Sequence, residues 1–445
     1  MFKTIVSLFK NKEIRSKILF TLAMLLVFRL GAGITIPNVD TSKLTEGLSG
    51  NSLITMMNML GAGQWQNFTI FSMGVGPYIT ASIVIELLAM DVIPPLTEMA
   101  KNGEKGRQQM DRITRYLAVV LGFIQAYTLT LTFDKSYGIL TDSGISSYLY
   151  TATILTAGSM FLVWIGDRIA AHGIGNGISM IIFAGIVANL PYQFYSSFKT
   201  LVDTTAETSV IVKGAFEFGL LVLMYIAIII LVIFMSEATR KIPIQYTSSG
   251  MRRGSRDINF LPLKINSASV IPVIFASAIM VAPKTIMTLI QNASWYKSTG
   301  FTEGLVKVFD YISNFSNWGC LAIYAVLIFL FTFFYTNLQV DPAKITENLN
   351  KGGTYIPGIR PGTETQTYIA KVLNRITLLG ALFLVFIALL PYLLSKFTSI
   401  SSTITMGGTS IIIVVGVALE TVKDLEDQLT QKEYRGFVNT NPLRR

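Results

Sequence analysis

The side chains able to make or break bonds are few. The 445-residue chain holds one cysteine, Cys320, and one histidine, His172. A single cysteine excludes an intramolecular disulfide, and one Cys with one His cannot build a zinc site, so no metal and no cofactor is expected. His172 stands in a short loop near Asp167 and Arg168. No Ser-His pair, paired aspartates or His-rich set falls within the apolar runs, so an ordinary surface histidine is the favoured reading. The run Gly173-Ile174-Gly175-Asn176-Gly177 is glycine-rich like a phosphate loop, but no strand precedes it and the chain has no Gly-Lys-Ser/Thr. Glu86 and Gln125 do lie inside apolar runs. An ionisable group within a membrane defaults to a functional role, although a Glu about one turn from the end of its run also reaches the interface. The leaning is toward an interior polar contact.

The elements that would position these groups are apolar almost throughout. Hydrophobic residues make up 51% of the chain and charged ones 14%, with a mean hydropathy of +0.54. Soluble domains carry about a quarter charged residues, so an all-α integral membrane protein is expected. Ten runs suit spans of about 20 residues: near Lys17 to Ile36, Met73 to Met90, Tyr116 to Phe133, Tyr150 to Ile165, Ile178 to Phe198, Phe216 to Ser236, Ala268 to Ile290, Trp318 to Tyr335, Ile376 to Leu394 and Thr405 to Leu419. The alternating short segments of an outer-membrane barrel are not evident.

The second run opens on Gly74, Gly76 and Pro77. In a membrane such a broken opening persists only where the freed backbone faces protein or a wet cavity. Val75-Gly76-Pro77-Tyr78-Ile79 finds an echo in Val270-Ile271-Pro272-Val273-Ile274, and Gly173 to Gly177 before the fifth run in Met406-Gly407-Gly408-Thr409-Ser410 before the tenth. Five spans on each side of the Lys199 to Lys213 loop force any repeat to be inverted. The expected divisions are 1–198 for one half, 199–214 for the connecting loop, 215–420 for the other half and 421–445 for a tail.

A net charge of +10 could suggest nucleic acid, but its distribution argues for membrane topology. Apart from Arg29, inside a span, and Lys43, Lys135, Lys199, Lys213, Lys284, Lys297, Lys307 and Lys396, all Lys and Arg fall on the N-terminus, alternate loops and tail. The positive-inside rule then puts both termini in the cytoplasm. Phe2, Ile5 and Phe9 at helical spacing suit a short helix on the inner leaflet. The run after them lacks a small-residue cleavage pattern and is expected to be a retained span. Arg29, near the outer end, is expected to snorkel or pair structurally.

Among the loops, Asp40 to Gln66 is rich in Leu and Met. It either packs on the outer surface or folds back into a cavity and closes it. Glu237 to Lys264 and Asp341 to Arg375 are the largest loops of the basic side, with Arg240, Lys241, Arg252, Arg253 and Arg256 in the first and a stiff, turn-rich tip presenting Arg360 in the second. Lipid headgroups account for part of this charge but not for the rigid tip.

The runs GPYITASI, GEKGRQQMDRITRY, GIGNGIS, PLKINSASVIPVIFA, IPGIRPGTETQTYIAKVLNRIT and GGTSIIIVVGVALE, in this order over nearly the whole chain, closely resemble the bacterial SecY family, the channel subunits of the Sec protein translocon. The resemblance implies ten transmembrane helices in two inverted five-helix halves around a central pore in the plasma membrane. It implies a pore ring of Val75, Ile79, Ile182, Ile186, Ile274 and Ile413. It implies a plug within about 52–66, carrying Leu53, Ile54, Met56, Met57, Met59 and Leu60, and a lateral gate with Thr80, Ser82, Ile83, Glu86, Gln125, Ile274, Ser277 and Ala278. The partners implied are SecE and SecG, the motor ATPase SecA or the ribosome docked at Arg240, Lys241, Arg252, Arg253, Arg256 and Arg360, signal peptides, preprotein chains and lipid, with no nucleic acid beyond ribosomal RNA. This sequence departs from the family in having an acid at Glu86, often an amide elsewhere, a less basic GEKGRQQM run and a smaller ring member at Val75. The rival is a secondary transporter for a small solute, a class that needs polar ligands at the midplane; the broken segments here carry Val and Ile.

Overall fold

The computed structural model describes residues 11–40, 68–90, 92–142, 144–202, 208–246, 259–280, 317–397 and 407–439, with isolated positions between 304 and 311. Helices dominate, and local chemistry sets many of their ends. The Asn11 side chain accepts from the Glu13 N–H and opens α1 (Lys12–Gly31). Proline in the first turn, where the missing N–H costs nothing, opens α2 (Gly76–Leu88) and α3 (Pro94–Lys101). α4 (Gly103–Tyr137) and α5 (Ile145–His172) follow. Asn176 accepts from the Ile178 and Ser179 N–H groups at the start of α6 (Gly177–Leu201). After α7 (Thr208–Glu237), β1 (Thr239–Tyr246) and β2 (Asn259–Lys264) come α8 (Ile271–Met280), α9 (Trp318–Gln339) and α10 (Pro342–Lys351), the last capped by Asp341. β3 (Thr354–Tyr355), α11 (Thr363–Phe397) and α12 (Gly407–Asn439) complete the order.

Six stretches, those of α4, α5, α6, α7, α9 and α11, are long and apolar enough to cross a membrane, and α2 and α8 are shorter apolar helices. α1 carries Glu13, Arg15, Lys17 and Arg29, and the apolar start of α12 gives way to a charged segment from Glu420. The latter part of the seventh expected run lies outside the described residues. α2 packs on α4, α4 on α5, α5 on α6, and α1 on α5 and α6. In the second half of the chain α9 packs on α11, α11 on α12 and α7 on α12, while α6 touches both α7 and α12. One hydrophobic cluster runs through α1, α2, α5, α6, α7, α8, α9, α11 and α12. Since lipid tails are as apolar as leucine, this cluster is held by close packing more than by escape from water.

The structure departs from the sequence reading in three places. The GEKGRQQM run, which lies between the second and third expected spans, is helical: it is the first turns of α4, which rise from a tight junction with α3. α6 runs through Leu201 and α7 starts at Thr208, so little of 199–214 is loop. The two large basic loops, expected as surfaces with a stiff tip, build a sheet in the order β2-β1-β3. β1 pairs antiparallel with β2, Ile242 opposite Leu261 and Arg240 opposite Leu263, and with β3 through Gln245 and Tyr355. Beneath it Ile242, Leu263, Leu349, Ile356, Ile369, Leu373 and Ile376 form a separate small core drawn from both loops.

Candidate functional site

The site is built outward from the broken opening of α2. The segment before it is stapled to the end of α1: the Ile36 N–H donates to Phe68 O at 3.2 Å and the Ile70 N–H to Ile34 O at 3.1 Å, on either side of a Thr35–Thr69 bridge. A run of tight turns follows, with the Gly74 N–H donating to Phe71 O. Gly74 sits at φ 56, a left-handed conformation that glycine adopts without steric cost. Its carbonyl accepts from the buried Ser159 hydroxyl of α5 at 2.7 Å. The backbone freed by the break is thus satisfied by protein, as a break at membrane depth requires.

Val75 is the residue that caps α2, and it is 1% exposed. Ile79 follows one turn later, Ile182 and Ile186 lie one turn apart on α6, Ile274 lies on α8 and Ile413 on α12. All six are buried and all belong to the same continuous cluster. These six aliphatic residues are carried by four helices, two from each half of the chain, within a larger cluster that also takes in aromatic residues such as Phe71, Tyr225 and Phe275.

The residues expected at a lateral gate lie on α2, α4 and α8. Ile83 and Ala278 are buried in or beside the cluster. Thr80 donates to Gly76 O at 3.1 Å and Ser82 to Glu86 Oε1 at 3.1 Å, both within α2. The interior contact of Glu86 is thus to its own helix; its Oε2 is buried without a hydrogen-bond partner among the described residues. Gln125 is half-buried on α4, the helix that packs on α2. Ser277 donates to Val273 O at 2.8 Å and pairs with the buried Tyr324 hydroxyl of α9 at 3.2 Å.

The six residues of the expected plug, Leu53, Ile54, Met56, Met57, Met59 and Leu60, lie outside the described residues, as do Arg252, Arg253 and Arg256. Arg240 and Lys241 are exposed on β1. Arg360 is exposed between Gly358 at φ 83 and Gly362 at φ 107, and its carbonyl accepts from the Thr365 hydroxyl at 2.8 Å. That bond ties the tip to the first turn of α11. His172 is exposed with its ring 5.8 Å from that of Phe20, Arg29 is exposed on α1, and Cys320 is fully buried.

Sequence reading missed a polar clasp on the face that bears the basic loops. The Gly175 N–H donates to Asp424 Oδ2 at 3.1 Å, Gln428 Nε2 donates to the same oxygen at 3.2 Å, and Lys17 Nζ donates to Gln428 Oε1 at 3.1 Å. Beside it the Ile174 N–H donates to Thr21 Oγ1 at 3.1 Å. α1, the α5–α6 turn and α12 are joined there. The only signal was the Gly-Ile-Gly-Asn-Gly run, whose successive backbone N–H groups invite an acid. Asp134, which accepts from the Leu140 N–H and the Tyr148 hydroxyl at the end of α4, was also missed; an acid closing an apolar run was its signal.

The SecY family model matches residues 69–422. The protein translocase subunit SecY of Staphylococcus carnosus is 44% identical over 445 residues, covering 98% of this chain and 99% of that one. Among solved structures, one described as the structure of a protein conducting channel superposes with a TM-score of 0.63 at 15% identity, covering 93% of this chain and 92% of the other. Another, from work on the plug domain of the SecY protein, gives 0.62 at 16% identity over the same shares. At that identity the likeness is one of fold.

Proposed function

The chain belongs to the SecY family, and from that premise we propose that unfolded polypeptides pass through a neck formed by Val75, Ile79, Ile182, Ile186, Ile274 and Ile413. It is the protein-conducting channel of a Sec translocon, and members of its family are channels and not enzymes. It is a multi-pass membrane protein, and the energy for movement comes from a partner.

One observation carries the neck: six aliphatic residues, chosen from four helices, fall in a single buried cluster shared by both halves. Ten spans in two inverted halves fit the packing. α1 against α6 corresponds to α7 against α12, α4 against α5 to α9 against α11, and α5 against α6 to α11 against α12. α2 and α8 are the paired short helices and form the lateral gate to lipid, with Thr80, Ser82, Ile83, Glu86, Gln125, Ser277 and Ala278 along it. A plug within about 52–66 seals the outer mouth; the described residues that flank it, Asp40 and Phe68, are bonded to Ile139 and Ile36. The basic loops and both termini face the cytoplasm. Arg240, Lys241, Arg252, Arg253, Arg256 and Arg360 dock SecA or the ribosome, and SecE and SecG complete the complex.

The test replaces Cys320 with Ser, places one cysteine by Ile274→Cys and crosslinks it to a stalled secretory chain. Crosslinks that move along the substrate as the stall length changes are expected. A folded protein that yields none while the new cysteine reacts with small reagents would leave a small-solute transporter as the better reading.

A further inference from the structure

Six residues, Ile265 to Val270, join the basic-face sheet to α8, and they are held more tightly than a linker needs. The Ile265 N–H donates to Ala238 O at 3.0 Å, so β2 leaves the sheet still bonded to the start of β1. A Cβ on Gly380 of α11 would lie 2.8 Å from Ile265 O, and one on Gly416 of α12 would meet the Val270 side chain. Two helices thus press on the link at its two ends. Between these clamps Ser269 adopts φ 54, a left-handed conformation that an L side chain enters at a cost and that only glycine takes freely. Asn266 Nδ2 donates to Ser269 O at 3.1 Å and bridges the turn, while Asn266 Oδ1 is buried without a partner among the described residues. Directly after the turn, the Val273 and Ile274 N–H groups donate to Val270 O, so the first turn of α8, with the neck residue Ile274, is set by the geometry of the link.

A serine in a left-handed turn that ends in a neck residue is strained in the arrangement that closes the aliphatic cluster. We propose that Ser269 and Asn266 are positioning residues that set how readily α8 leaves the closed neck: the strained turn at Ser269 favours departure, and the Asn266 side chain holds the turn against it. The inference rests on the reading of α8 as a gate helix. It gives the link a sign. Ser269→Gly keeps the turn, removes its cost and makes the closed channel harder to open. Ser269→Val, branched at Cβ, raises the cost, and Asn266→Ala removes the brace; both make opening easier.

The experiment places each variant in the intact translocon as the only chromosomal copy and follows two exported reporters. One has an intact signal sequence and the other carries a charged residue in its apolar core. The ratio of defective-signal to intact-signal export is expected to fall about fivefold for Ser269→Gly, the factor by which a left-handed penalty shifts a two-state balance, and to rise by a similar factor for Asn266→Ala and Ser269→Val. Should the last two fail to accumulate, Ser269→Gly still decides, because glycine adopts the same turn. An unchanged ratio, or equal loss of both reporters, overturns the proposal. A photoreactive probe at Ser277 separates the two levels. Crosslinking to the signal segment with an unchanged ratio sinks the positioning role alone, whereas no crosslinking sinks the gate reading and the inference with it.

Discussion

Ile79 and Ile274 come from different halves of the chain and meet in the same apolar cluster, so a polar group at either site would sit among side chains that cannot answer it. Burying an amide without a hydrogen bond costs about 1–3 kcal/mol in proteins. The combined change Ile79→Asn with Ile274→Asn is therefore expected to weaken the closed neck, raising ion conductance of the resting channel in planar bilayers and export of a signal-defective reporter about tenfold. Unchanged leak with unchanged export would remove both residues from the constriction. Ser159 makes a different kind of contribution. Its hydroxyl is the donor to the buried Gly74 carbonyl, and Ser159→Ala leaves that carbonyl unpaired at a cost of about 1–3 kcal/mol. A lower melting temperature in detergent is expected, with Ser159→Thr, which keeps the hydroxyl, recovering part of it; no change would mean the Gly74 turn is held by other contacts. The six aliphatic residues were named in the sequence because their motifs carry the family pattern, and the structure buries all six in one cluster. Ser159 was not, since nothing local distinguishes a serine that bonds a carbonyl 85 positions away from one that bonds its own helix.

At the scale of elements, six of the ten expected runs fall in helices long and apolar enough to cross a membrane among the described residues, because each helix must satisfy its own backbone in lipid, and three of these runs end where α5, α6 and α9 end to within a turn or two. The sheet on the basic face was hidden for the opposite reason. A strand takes its partners from elsewhere: β1 pairs with β3 through Tyr246 and Thr354, and Tyr355 donates its hydroxyl to Gln245. Either loop read alone looks like turns and scattered charge. The shared core of Ile242, Leu263, Leu349 and Ile356 makes the two loops one folding unit. Ile242→Asn, a change in the first loop, is thus expected to open the second as well: limited trypsin digestion of the membrane-embedded protein would cut at Lys344 and Lys351 along with Arg240. Cutting confined to the first loop would mean the loops fold independently. A unit of this kind gives the exposed Arg240, Lys241 and Arg360 a fixed spacing, which a docking partner can read and a pair of loose loops could not hold.

For the whole molecule, the question is which side of the channel stays shut when the other opens. α6 touches α7 and α12, and the clasp of Lys17, Gln428, Asp424 and the Gly175 N–H binds α1 and the α5–α6 turn to α12. That clasp is part-buried and its chain partners are hundreds of positions apart, so it could not be read from sequence, yet it ties the first half of the chain to the second. α2 and α8, by contrast, meet the opposite half through apolar side chains of the shared cluster, and the hydrogen bonds of Thr80, Ser82 and Ser277 stay within their own half. Apolar contacts re-form around a new surface at little cost, whereas a charge-assisted network loses its partners when it parts. On the proposed reading of α2 and α8 as the lateral gate, the clasp side acts as the hinge and the α2–α8 side as the seam that parts. With Cys320→Ser as background, a flexible bismaleimide across Lys17→Cys and Gln428→Cys is expected to leave export of a secretory reporter within about twofold of the uncrosslinked protein. The same reagent across Ser82→Cys and Ser277→Cys is expected to stop it. Arrest by the first crosslink would place the moving seam at the clasp, and free export through the second would mean that a chain crosses the neck without parting α2 from α8.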